Sequence, residues 1–214
     1  MVEKIQGRIP TRAELTRERI LEAAEVMFAR HGLNGTRIRE IAETAEVNNA
    51  TIYSYFPSKT ELHEAVLERG MRPLLDLITE FSTGPSDLEA AGRFLRGGMK
   101  HLSERPNLSR LIYLEIISEG SYLAELSGTW LRPLFDFGLA QLKQGTASTP
   151  WEGSLAPLVA TTFVQLMFGH FALAPLFREL IGADPTSEEW VANQTRFMLT
   201  LLEQMFPGEM ARVE

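Results

Sequence analysis

The sequence predicts an all-α protein of about nine helices, and three observations carry that prediction. Apolar residues recur at helical spacing along the chain, as in Ile20, Ala23, Ala24, Met27 and Phe28. Helix starts are marked by a Ser or Thr followed three residues later by Glu: Thr11 with Glu14, Ser58 with Glu61, Ser86 with Glu89, and Thr186 with Glu189. Helix ends are marked by Gly and Pro, at Gly32, Thr83-Gly84-Pro85, Arg105-Pro106, Gly145 to Pro150, Asp184-Pro185 and Phe206-Pro207. One run, Leu111 to Ile117, has strand propensity, but every neighbour is helical and a lone strand would lack a partner.

Length and composition bound the functions open to such a chain. With 214 residues and 44% hydrophobic content it can bury a sizeable core, as one large domain or a small one with a larger one. It has no cysteine, so neither a disulfide framework nor a thiolate metal site is available. The first residues carry charges and a proline where a secretory signal would have an apolar core, and the expected location is the cytoplasm. The net charge of -7 argues against a nucleic-acid partner until its distribution is considered. Residues 1 to 60 hold nine Lys or Arg against eight Asp or Glu, whereas residues 61 to 214 hold twelve against twenty. The acid therefore sits mostly in the larger part, leaving a near-neutral head that can approach DNA.

The elements follow in order. Residues 1 to 10 precede the first cap, and Lys4, Arg8 and Arg12 make this arm locally basic, suited to a phosphate backbone or minor groove. The first helix runs from Thr11 to Gly32. Thr36 is expected to start and cap the second, followed at once by Arg37 and Arg39. Ile38, Ile41, Ala42 and Ala45 form one apolar face, and Val47, Ile52 and Phe56 form another across a tight turn. The outward side of the third helix carries Asn48, Asn49, Thr51, Tyr53 and Ser54. Uncharged amides and hydroxyls of this kind suit base edges or phosphate oxygens in a major groove. The pattern is that of a helix-turn-helix. Lys59, in the first turn of the fourth helix, opposes the helix dipole and so points to an outside anion.

These residues carry a family resemblance. His31-Gly32, Thr36, Ile41-Ala42, the run Thr51-Ile52-Tyr53-Ser54-Tyr55-Phe56, and Ser58-Lys59-Thr60-Glu61-Leu62 stand in the register of the DNA-binding unit of TetR-type transcriptional regulators. The resemblance implies a DNA-contacting set of Thr36, Arg37, Arg39, Asn48, Asn49, Ala50, Thr51, Tyr53, Ser54, Tyr55 and Lys59, on double-stranded operator DNA. It departs from the family at Glu46, where Gly usually precedes the Val of the turn, and at Asn48-Asn49-Ala50, where Ser-Lys-Gly is frequent. If the turn requires a left-handed residue, Glu there costs roughly 1 kcal/mol relative to Gly.

The body, residues 61 to 214, follows the head, residues 1 to 60, and the resemblance implies that it binds an effector and dimerises. The fourth helix is expected to reach Phe81, a fifth to end at Arg105, a sixth to span Asn107 to Ser118, and a seventh to span Ser121 to Gln144. Ser154 to Phe177 has no charged residue in twenty-four positions, which fits a membrane span by length. Thr161, Thr162, Gln165, Gly169, His170 and two prolines oppose that reading, and a buried helix with one face on the core and one on a second subunit is expected. A last helix follows from Thr186 to Phe206, and these two, about 154–177 and 186–206, are the expected homodimer interface. For a small-molecule effector the candidate lining residues are Met99, Leu102, Trp130, Phe135, Phe163, Met167, Phe168 and Phe171. Glu115 becomes a counter-charge if it faces inward and belongs to a solvated face if it does not.

No Ser, His and Asp arrangement has motif spacing, no glycine-rich loop follows a strand, and the four histidines lie far apart, so no enzyme, cofactor or metal is expected. The expectation is a homodimeric transcriptional regulator, a repressor, released from a pseudo-palindromic operator by a small, largely apolar effector. An effector-independent DNA-organising or partner-binding protein of the same fold stays open, as does a carrier or enzyme that does not bind DNA.

Overall fold

The computed structural model describes residues 10–81, 88–118, 122–145 and 155–205. Lys4 and Arg8 of the basic arm, the Thr83-Gly84-Pro85 break, the Ser86 cap, most of the loop ending at Pro150, and Phe206-Pro207 lie outside them. The described chain is helical throughout: α1 (Arg12–Gly35), α2 (Ile38–Thr44), α3 (Asn49–Tyr55), α4 (Lys59–Phe81), α5 (Leu88–Glu104), α6 (Pro106–Ile117), α7 (Leu123–Glu125), a π-helical turn (Leu126–Leu131), α8 (Arg132–Gly145), α9 (Ala156–Ala172), α10 (Ala174–Ile181) and α11 (Glu188–Met205). The chain divides into two units, Met1–Leu67 and Glu68–Glu214.

In the first unit the caps act as their residue types require. The Thr11 hydroxyl accepts from Glu14 N–H, and the Glu14 carboxylate accepts from Thr11 N–H, a complete capping box. Gly32 adopts φ 67°, so the helical path breaks there although helical residues resume to Gly35. The apolar stripes converge on one core in which Ile20, Ala24, Phe28, Ile41, Ile52 and Leu62 are wholly buried. Ser58 accepts from Glu61 N–H at 3.1 Å and starts α4.

In the second unit α5 packs on α6, α8, α9 and α11, α6 packs on α9, and α8 packs on α9. The core includes Leu74, Met99, Leu102, Leu108, Leu126 and Met198. At Gly70 an added Cβ would lie 2.5 Å from a methyl of the buried Leu108, so a larger residue there would displace that side chain.

Three expectations about this unit change. The seventh helix is not uniform: Leu126–Leu131 is π-helical, with Arg132 N–H bonded to Ser127 O. Pro133 follows that turn and has no N–H to continue a regular ladder. The 154–177 helix is two helices bent by 73°. Pro175 enters the first turn of α10, where its missing N–H is harmless, whereas in a continuous helix it would strip a bond from Phe171 O. Thr186 does not cap α11. Its hydroxyl and N–H both donate to the Asp184 carboxylate, α11 begins at Glu188, and Val191 N–H bonds to Ser187 O. Asp184 also accepts from Arg178 at 2.8 Å, and these bonds, the Thr186 N–H first, hold its carboxyl down to about 2. No single described helix is long and apolar enough to cross a membrane, and the bent α9–α10 pair passes only by length and composition.

Candidate nucleic-acid interface and effector cavity

The turn between α2 and α3 is built by backbone geometry. Val47 N–H bonds to Ala42 O at 3.0 Å and Glu46 N–H to Glu43 O at 3.3 Å, the paired bonds of a Schellman end. That end needs a left-handed residue, and Glu46 supplies it at φ 54°, the one positive-φ residue other than glycine among those described. The conditional cost foreseen at this position therefore applies. Asn48 then caps α3, its Oδ1 accepting from Thr51 N–H at 2.8 Å and from the Thr51 hydroxyl at 3.0 Å.

With Ile52 wholly buried, the opposite side of α3 faces solvent. Asn48, Asn49, Ala50 and Ser54 are exposed, Tyr53 is 50% exposed, and Thr51 and Tyr55 are half-buried. Arg37 and Arg39 are exposed as well. The Nε of Arg39 donates to Glu43 at 2.8 Å, a bond that raises its pKa further. Its fork retains other N–H donors, and such a surface pair is worth little, so it yields readily to a stronger anion.

Two expected contacts change character. Thr36 is only 1% exposed and does not cap α2, whose N-cap is Arg37. The Thr36 hydroxyl donates to Met27 O and Gly32 O at 3.1 and 2.7 Å, and its N–H also bonds to Gly32 O, tying the residue to the end of α1. It positions the head, and its buried hydroxyl presents nothing to DNA. Lys59 donates from Nζ to Thr36 O at 2.9 Å. The outside anion is thus not needed to explain a cation in that first turn, although an ammonium retains two further N–H donors. Behind Lys59 lies His63, wholly buried and edge-on to Phe28 at 4.9 Å. Burial, and secondarily the charge of Lys59, push its pKa down to about 4, so it is neutral near pH 7.

In the second unit two cavities share the wall residues Leu134, Phe135 and Val164. The inner one, about 60 Å³, is lined only by apolar side chains and Gly138, among them Phe94, Phe137, Phe163 and Met167. The outer one, about 370 Å³, adds Ser127, Arg132, Thr161, Gln165 and Phe168. Of the expected lining residues, Phe135, Phe163, Met167 and Phe168 meet at these cavities. Met99, Leu102, Trp130 and Phe171 do not line either cavity and are packed core, with Trp130 carrying the Arg72 guanidinium 5.2 Å over its ring. Glu115 is buried and so does not belong to a solvated face; its Oε1 accepts the Tyr122 N–H at 2.8 Å, and it lines neither cavity. Sequence reasoning missed Arg132, Leu134, Gly138 and Val164. A glycine within the apolar pattern of a helix was the available signal for Gly138. Among the described residues no group of His, Asp or Glu is arranged to hold a metal.

Residues 20–66 match the profile described as "Bacterial regulatory proteins, tetR family". The chain is 38% identical over 108 residues to the HTH-type transcriptional repressor SCO4008 of Streptomyces coelicolor, covering 50% of this chain and 53% of that one. Over 197 residues, 90% of both chains, it is 29% identical to the HTH-type transcriptional regulator RutR of Escherichia coli K12. Among solved structures, the putative transcriptional regulator SCO4942 from Streptomyces coelicolor superposes with a TM-score of 0.62 at 26% identity, over 90% of this chain and 98% of that one.

Proposed function

The chain belongs to the TetR-type family of helix-turn-helix transcriptional regulators, and on that premise we propose that it is a homodimeric repressor released from a pseudo-palindromic operator by a small effector. The observation that carries this reading is the division of α3: Ile52 is buried in the head, while Asn49 and Ser54 present small polar groups, Ala50 a methyl and Tyr53 a half-exposed ring to solvent. Amide and hydroxyl groups on a solvent-facing helix read base edges, and the exposed guanidinium groups of Arg37 and Arg39 supply phosphate or guanine contacts. Thr51 and Tyr55, half-buried on α3, are contributory contacts in this reading, and Lys59 bonds a phosphate with its remaining donors.

Dimerisation through α9 and α11 is supported by large apolar side chains left in solvent, including Leu158, Trp190 and Phe197, the last 53% exposed. Two heads joined in this way meet major-groove half-sites separated by about 34 to 36 Å or a multiple of it. The effector site in this reading is the pair of cavities at the α8–α9 packing. Its ligand must bind the DNA-free state more tightly than the DNA-bound one. Selection of duplexes from a random DNA pool at two salt concentrations tests the reading. A palindromic consensus is expected, and absence of any enrichment at both salts, with folded dimer in hand, rejects it.

A further inference from the structure

We infer that the effector is an aliphatic molecule of medium length with one anionic head, the head on Arg132 in the outer cavity and the tail entering the inner cavity over Gly138. The inference rests on the proposed effector-controlled reading and adds the ligand's chemistry to it.

Size comes first. An inner cavity of about 60 Å³ is well below the roughly 150 Å³ that admits a benzene, so it receives the end of a chain and not a whole ligand. The outer cavity, about 370 Å³, takes the remainder. At 100° per residue Phe135 lies angularly between Arg132 and Gly138 on α8, and it lines both cavities, so its ring is the partition a tail displaces. Arg132 and Gly138 are six residues apart on one helix, about 9 Å along its axis, which sets the scale of the ligand.

Glycine at 138 has no backbone reason to be there. Its φ is not in the left-handed region, and a Cβ added to it meets no atom within 4 Å. A helix-interior glycine costs about 1 kcal/mol relative to alanine, and what it leaves in return is room in an apolar chamber. Charge comes second. Arg132 is the one charged side chain lining either cavity, no acidic side chain lines them, and among the described residues Arg132 forms no ion pair. Arg39, Arg72, Arg93 and Arg178, by contrast, each hold a carboxylate at 2.8–2.9 Å. An exposed guanidinium on the outer cavity, with Ser127, Thr161 and Gln165 on the same wall and the apolar inner cavity across Phe135, selects a carboxylate over an ammonium or a plain hydrocarbon.

The test is calorimetric titration of the full-length, DNA-free protein with octanoate, octanol, octylamine and acetate, repeated on Arg132→Gln and Gly138→Leu after circular dichroism has shown both variants folded. The result expected is saturable octanoate binding at least tenfold tighter than octanol or acetate. Arg132→Gln should erase the preference over octanol, and Gly138→Leu, whose side chain occupies the inner cavity, should erase the preference over acetate. Absence of octanoate binding, equal binding of octanol, or unchanged binding by Gly138→Leu overturns the inference. Gel shift with the selected operator separates the two readings. Specific octanoate binding by a protein that selects no operator refutes the regulator and leaves the ligand site standing, whereas operator binding with no octanoate site does the reverse.

Discussion

Glu46→Gly is expected to make the head more stable. Glu46 sits at φ 54° in the position of a Schellman end that glycine most often fills, with Val47 N–H and Glu46 N–H already committed to Ala42 O and Glu43 O. A residue with a Cβ in that conformation costs roughly 1–2 kcal/mol, while glycine gives back about 0.4–1 kcal/mol through the larger freedom of the unfolded chain. The balance is a gain of about 1 kcal/mol. The Glu46 side chain is exposed and enters no ion pair among those described, so little packing is lost with it. If the head unfolds as its own small unit, the midpoint should rise by about 4–8 °C per kcal/mol, and by about half that if both units unfold together. Thermal unfolding followed by far-ultraviolet circular dichroism measures it, with Glu46→Ala as the control that removes the carboxylate and keeps the strained backbone. A glycine variant no more stable than the alanine variant would refute strain at this turn.

Three further outcomes follow from the same geometry. His63 has its pKa lowered from 6.5 to about 4, so the unfolded chain binds the extra proton first. The stability of its neutral form is complete above pH 6.5 and is lost as pH falls towards 4, up to on the order of 3 kcal/mol, and denaturant unfolding of His63→Met across that window should show a flatter pH dependence than the parent. Tyr53→Ala should weaken binding to the selected operator far more than to random DNA, whereas Lys59→Ala should weaken both and lower the salt slope by about one counterion; an unchanged slope removes Lys59 from the contact set. If the proposed dimer forms through α9 and α11, Phe197→Lys should leave a monomer in light scattering and abolish operator binding, and a dimer that survives places the interface elsewhere.

Much of the fold was legible because its signals are local. Thr11, Asn48 and Ser58 satisfy N–H groups three residues ahead of them, and Gly32 breaks the first helix by its own conformation. Pro175 was equally visible, but a proline is tolerated in the first turn of a helix and disruptive within one, and the sequence did not say which turn it occupied. Thr36 misled for a related reason. A threonine before a helix resembles a cap, yet its hydroxyl went to carbonyls four and nine residues earlier, bonds that exist only once α1 has broken at Gly32. Among the ligand candidates, apolar identity did not separate Met99, which is packed core, from Met167, which borders a cavity.

The sequence by itself determined the all-α architecture, the helix-turn-helix register and the near-neutral head, because capping, periodicity and charge act between residues close in the chain. Only the tertiary structure decided that Glu115 is buried and accepts the Tyr122 N–H, that Lys59 ties α4 to the end of α1, and that Arg132 and Gly138 border adjoining cavities. Those outcomes depend on how helices distant in sequence pack, and on the space left where their side chains do not meet, which no local rule encodes.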